Sequence, residues 1–226
     1  MNPKFPHGRS TRRAGNGDEN MSYPVFFDQT PTITLYDPLA EVLGAFEYGI
    51  VTYAYLDAVK LAGHSCPTVA GAYLMALKGI DALYPDSFPQ RGSIAVTLRG
   101  SRDEGTNGVI GNVLGLITGA AGDEGFKGLQ GNFARNGLLR FEQDLWQPVM
   151  MQRVDTGKKV FLRYNPAAAP TTPISPEMMQ AVIGGTGSAD EQKTFGRLWQ
   201  QNVAAILANH ANPGLIAIQT EKETTV

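Results

Sequence analysis

The chain has 226 residues, 42% of them hydrophobic and 18% charged, which suits one or two globular domains with a buried core. A formal net charge of −2 gives no general electrostatic case for nucleic acid, and no stretch reaches the roughly eighteen consecutive apolar residues of a membrane span. The single cysteine excludes an intramolecular disulfide and a four-cysteine zinc ribbon, and it points to a reducing, cytoplasmic setting.

Residues 1–22 carry Arg9, Arg12 and Arg13 among Gly and Asn, without the apolar stretch of a secretory signal, and read as a disordered leader in which Met21 is a candidate natural start. Residues 31–37 alternate apolar and polar, as a strand does. Asp37-Pro38 then supplies a helix cap followed by proline at the first helical position, and Leu39, Val42, Leu43 and Phe46 fall on one side of the helix that follows. Residues 49–60 are apolar and partly β-branched. Strand and helix both fit, and helix is favoured, with Tyr53, Leu56 and Val59 on one face.

After Gly63 comes the clearest helix, residues 67–84, in which Val69, Tyr73, Ala76, Leu77 and Ile80 recur at three and four while Ala70, Gly71 and Ala72 permit close packing. Residues 92–99 read as a strand with Ile94, Val96 and Leu98 on one face, and residues 105–119 as a glycine-rich, tightly packed helix. A glycine-rich loop over 119–137 leads to a strand at 138–141. Residues 147–154 and 158–164 flank Asp155-Thr156-Gly157, a hairpin signal. Residues 165–176 form a Pro/Ala/Thr linker. A helix capped by Ser175 covers 177–183, and a long amphipathic helix covers 189–208. Strands mixed irregularly with helices give an α+β class.

Chemistry concentrates in Gly63-His64-Ser65-Cys66-Pro67, which holds the only cysteine and one of three histidines. A thiolate and an imidazole two residues apart can share one soft or borderline metal ion such as zinc, copper or iron. Pro67 reads as the first residue of a helix, whose N-terminus favours the thiolate form of Cys66. A small buried core cysteine fits the same spacing. Two donors fall short of the three or four that zinc takes. His210, in the polar turn after the last helix, is the candidate third ligand, and Glu104, Asp103, Asp57 and Glu47 are carboxylate candidates. Cys66 as a nucleophile with His210 as its base is a further arrangement these residues allow. Tyr53, Tyr55 and Tyr73 are candidate pocket residues, and His7 belongs to the leader. The glycine-rich loops match neither a phosphate loop nor a dinucleotide fingerprint, and no Gly-x-Ser-x-Gly elbow occurs.

Residues 59–76 (VKLAGHSCPTVAGAYLMA) resemble the defining segment of the FmdE family, which takes its name from a component of formylmethanofuran dehydrogenase. The likeness extends more weakly over residues 45–165, through the acidic turn Arg102-Asp103-Glu104, the step Ile117-Thr118-Gly119 and the returning strand Gly137–Phe141. The resemblance implies an α+β fold like the C-terminal domain of glyceraldehyde-phosphate dehydrogenases, with a mixed sheet packed by helices. It also implies a transition-metal site, usually zinc, with His64 and Cys66 as ligands. The chain departs from the family at Ala62, Gly105 and Ala120, where many members have histidine or cysteine, and it lacks the C-terminal zinc ribbon.

The expected organisation is a leader over 1–22, a metal-binding FmdE-like domain over 23–165, and a linker with a helical extension over 166–226 packed on the same domain. The expected function is transition-metal binding, as a metalloenzyme or redox accessory protein with a metal ion or small-molecule substrate as partner. A metal-delivery module and a metal-free reactive thiol at Cys66 are the alternatives. Small-residue helices such as 105–119 are compatible with a homo-oligomer.

Overall fold

The computed structural model describes residues 23–220; the leader, its His7 and residues 221–226 lie outside them. The class is α+β, as the sequence implies. A five-stranded sheet runs in the order β4–β3–β5–β6–β7, with β3 (Ile94–Leu98), β4 (Leu139–Arg140), β5 (Val149–Arg153), β6 (Lys159–Tyr164) and β7 (Ile216–Thr220). The β3–β4 pair is parallel and the other pairs are antiparallel. A separate antiparallel pair joins β1 (Ile33–Tyr36) to β2 (Ile50–Tyr53).

Register places the apolar residues on one face. Val96 lies opposite Met151, which lies opposite Val160; Leu98 lies opposite Val149, which lies opposite Leu162. All six are essentially inaccessible to water, the period-two outcome expected of a sheet with one face buried. Asp155, Thr156 and Gly157 turn the chain between β5 and β6, and Gly157 takes φ 74° there.

Against this face lies α4 (Pro67–Leu83), buried along nearly its whole length. Two glycines set its distance from the sheet. A Cβ on Gly71 would stand 2.4 Å from the Tyr164 ring, and one on Gly79 would stand 2.5 Å from Met151 Sδ. Glycine costs up to about 1 kcal/mol of helix propensity against alanine, which the close approach offsets through packing. Around α4 pack α3 (Tyr55–Ala62), α5 (Asn107–Thr118) and α7 (Ala189–Ala208).

Three segments depart from the sequence-based expectation. Residues 49–60 divide: β-branched Ile50, Val51 and Thr52 form β2, and α3 starts only after Ala54, whose N–H donates to Asp57 Oδ2 at 2.8 Å. The helix α2 (Pro38–Val42) stops early because Gly44 turns left-handed, and it buries no residue at all. The C-terminal region is more than a helical extension, since it also supplies β7, the edge strand beside β6. The linker is tied to α7 by Asn202, which accepts from Thr172 N and donates to Thr172 O, and by Asn209 and Asn212, which both donate to Ala168 O. Among the described residues no helix is long and apolar enough to cross a membrane.

A charged cluster joins the small sheet to the rest. Asp37, the α2 cap, accepts from Leu39 N and Ala40 N, and it pairs with Arg91 at 2.9 Å and Arg135 at 2.7 Å. Arg91 also donates to the carbonyls of Leu116 and Ile117 at the end of α5, and its guanidinium lies over the Tyr53 ring. Burial opposes ionisation of Asp37, but the hydrogen bonds from Arg91 and Ala40 and the nearby guanidinium charges hold its carboxyl below the usual range.

Two substitutions probe this packing. Gly71→Ala destabilises the fold by about 1–3 kcal/mol despite its better helix propensity, because the methyl group has no room; thermal melting checks it. Asp37→Asn costs about 3 kcal/mol at pH 7, where it strands two guanidinium groups. A depressed carboxyl contributes stability above its unfolded pKa and loses it as pH falls through the folded value. Urea titrations of wild type and Asp37→Asn are therefore expected to begin converging as pH falls below about 4 and to meet only below the depressed folded value.

Candidate functional site around Cys66

Cys66 caps α4. Its Sγ accepts from Val69 N at 3.5 Å, and Pro67 fills the first helical position, the arrangement read from Cys-Pro. The residue is 9% exposed, so it is buried without being sealed from solvent. The preceding turn is made by Gly63, the left-handed C-cap of α3 at φ 74°.

That turn is held from three sides. Ser65 Oγ and Tyr55 Oη form a buried hydrogen bond of 3.0 Å. From α7, Trp199 Nε1 donates to Ser65 O at 2.9 Å and Gln200 Nε2 donates to the same carbonyl at 3.2 Å. Tyr164, at the end of β6, lies across Gly71, one turn into α4. Burial raises the Tyr55 and Tyr164 phenols well above their ordinary range, with Cys66 adding to both. Both therefore stay protonated at neutral pH and can donate to an anion. Two buried polar atoms here, Tyr164 Oη and Gln200 Oε1, have no hydrogen-bond partner.

His64 is exposed, and its Nδ1 donates to Ala62 O at 2.9 Å. His210 sits beyond the C-terminal end of α7 and lines a cavity of about 200 Å³ with Phe26, Thr30 and Leu207. Its Nδ1 is buried without a partner. From Gln200, which touches Ser65, to the end of α7 the helix rises roughly 12 Å, so His210 is a residue of another pocket.

Of the four carboxylate candidates, two are engaged elsewhere and two are exposed. Asp57 caps α3. Asp103 accepts from Ser101 Oγ at 2.7 Å in an exposed turn, and Glu104 and Glu47 are exposed. Tyr73 is buried edge-on to Tyr55 and donates to the carbonyls of Pro31 and Tyr53. Tyr53 lies under Arg91.

Among the described residues, no three His, Cys, Asp or Glu side chains gather as a metal ion would require. The donor set of His64, Cys66 and His210 therefore does not fit a three- or four-coordinate zinc site. Sequence reasoning missed Ser65, Tyr164, Trp199 and Gln200. Ser65 stood inside the motif; the other three reach the site only through the fold and carry no local signal.

No protein-family model matches the chain, and no curated protein does.

The anchoring role of the indole is testable. Trp199→Phe keeps an aromatic ring and removes one of two donors to Ser65 O, with an expected cost of about 1 kcal/mol in chemical denaturation. No change in stability would show that Gln200 alone suffices.

Proposed function

We propose that the protein acts through Cys66 as a metal-free thiol nucleophile toward a small carbonyl or acyl compound. The observation that carries this reading is the unpartnered, buried hydroxyl of Tyr164, whose ring lies against Gly71 one turn into the 17-residue helix that Cys66 caps. The Val69 N–H donates to Sγ from the first turn of α4. Tyr164 and Tyr55 remain neutral donors, suited to an oxygen anion formed next to it.

In the proposed step Sγ attacks the carbonyl carbon and the S–C bond forms. The C–O π pair moves to oxygen, where Tyr164 Oη donates to it, and the thiol proton leaves to water. The FmdE resemblance is a reason to test metal at the same residues, with zinc, copper and iron as the ions. The gathered donors support the thiol reading better.

The test is alkylation of native, untagged protein with iodoacetamide, followed by intact mass and peptide mapping. The expected result is one adduct per chain on Cys66 without denaturant and none in Cys66→Ser; with p-nitrophenyl acetate in place of iodoacetamide, whose carbonyl does form an oxyanion, acylation of Cys66 is expected to be roughly fivefold slower in Tyr164→Phe, equivalent to about 1 kcal/mol for one lost hydrogen bond. Labelling only after unfolding would overturn the proposal and make Cys66 a core residue.

A further inference from the structure

The face of the five-stranded sheet that α4 does not cover is partly roofed by the loop over residues 141–148, between β4 and β5. Strand alternation puts Ala95 and Thr97 of β3 on this face, and register sets Thr97 between Arg140 of β4 and Met150 of β5. The loop is pinned at both ends. Gln143 N donates to Leu98 O at 3.3 Å; further on, the Trp146 ring packs on Phe161 at 4.9 Å and Gln147 Nε2 donates to Gln219 Oε1 at 3.0 Å. Between loop and sheet lies a cavity of about 550 Å³, inside the roughly 300–1,000 Å³ range of small-molecule sites.

Polar groups without partners line this cavity. Thr97 is only 6% exposed, and its hydroxyl has no hydrogen-bond partner among the described residues, a costly state for a buried polar group unless something satisfies it. Arg140 Nε donates to Gly137 O at 3.0 Å, which fixes the guanidinium and leaves both Nη groups without a partner among the described residues. Asp144 lines the same cavity and pairs neither with Arg140 nor with any other described cation. Gln143 and Gln152 donate from Nε2 to the carbonyls of Phe141 and Gly157, so their Oε1 atoms remain free to accept. Leu145 and Met150 complete the wall with apolar surface.

We infer that this cavity binds a free α-amino acid. Two opposite charges in one cavity that do not neutralise each other fit a ligand that carries both. Its carboxylate takes the Nη groups of Arg140, whose planar fork matches two carboxylate oxygens. Its ammonium has three N–H donors, for Asp144 and the amide oxygens of Gln143 and Gln152. The Thr97 hydroxyl, donor and acceptor at once, serves either group from the sheet, and Leu145 and Met150 offer the ligand's side chain an apolar surface. A neutral polyol would leave both charges unmatched, and a simple anion would face Asp144. The inference stands apart from the reactivity of Cys66, whose helix covers the other face of the sheet.

Isothermal titration calorimetry of the full chain with a panel of the common L-α-amino acids tests it. At least one is expected to bind with a Kd below about 1 mM, and its amide and its des-amino acid at least about tenfold more weakly. Arg140→Gln and Asp144→Asn are each expected to weaken binding at least about tenfold; both positions are exposed, so far-UV circular dichroism stays unchanged. Thr97→Val is expected to bind about fivefold more weakly and to melt no lower than wild type, because the hydroxyl has no described partner to lose. No saturable binding of any amino acid up to about 10 mM would overturn the inference. Full affinity in both charge variants would place the site elsewhere and overturn it equally. Equal binding of the amide and the des-amino acid would show that the charges are not read, which also overturns it.

Discussion

The closeness of α4 to the sheet is the constraint on which the rest of the molecule depends. Gly71 and Gly79 let the helix settle onto Tyr164, Met151 and Leu162 without a side chain between them. Dispersion grows with such contact and is lost quickly with small gaps. A helix this deeply buried cannot shift along its axis, so its first residue is equally fixed. Cys66 is that residue's cap, and the thiol inherits the rigidity of the core. The same glycine that brings the helix close also makes room for the Tyr164 ring, so one packing decision fixes both the helix that Cys66 caps and the ring against it.

A second constraint ties the periphery to this centre. Asp37 comes from the end of β1, Arg91 from the approach to β3 and Arg135 from the long glycine-rich loop, and they meet in a buried cluster. The Arg135 guanidinium occupies the space that side chains on Gly92 and Gly119 would fill. Two cations on one carboxylate leave a buried excess of positive charge, and Arg135 Nε and Nη1 have no partner. Such a cluster adds little net stability over apolar packing but penalises any arrangement that separates its members. It specifies where the loop over residues 119–137 lies relative to β1, a loop in which Gln130 and Phe133 both take positive φ.

What was legible in the sequence was local. The Cys66–Pro67 cap, the apolar recurrence of α4, the β5–β6 hairpin and the Ser175 cap each depend on residues within a few positions of one another, and the structure has them. What failed depended on distance or on a competing partner. Residues 50–53 carry helical spacing, yet β1 offers a ladder that β-branched residues fill better. The strand β7 is short and follows Pro213-Gly214, so its alternation is visible only once β6 is beside it. Asp37 and Arg135 stand 98 residues apart, and Trp199 stands 134 from Ser65; no spacing rule reaches that far. His210 has the residue type for a ligand, and the fold places it past the end of α7, whereas Trp199 and Gln200 in the middle of that helix hold the Ser65 carbonyl. The α+β class was readable because it requires only the kinds of element, whereas the polar surroundings of the thiol required their arrangement.

In the Gly63–Pro67 step His64 is turned toward Ala62, and among the described residues no group of three His, Cys, Asp or Glu that could hold a metal ion is found. Elemental mass spectrometry on untagged protein, wild type beside His64→Ala and Cys66→Ser, tests the metal-free thiol most directly. Substoichiometric zinc, copper and iron are expected in all three, with no difference between wild type and His64→Ala. One equivalent of a transition metal in wild type, lost in both variants, would contradict the thiol reading and make His64 and Cys66 ligands.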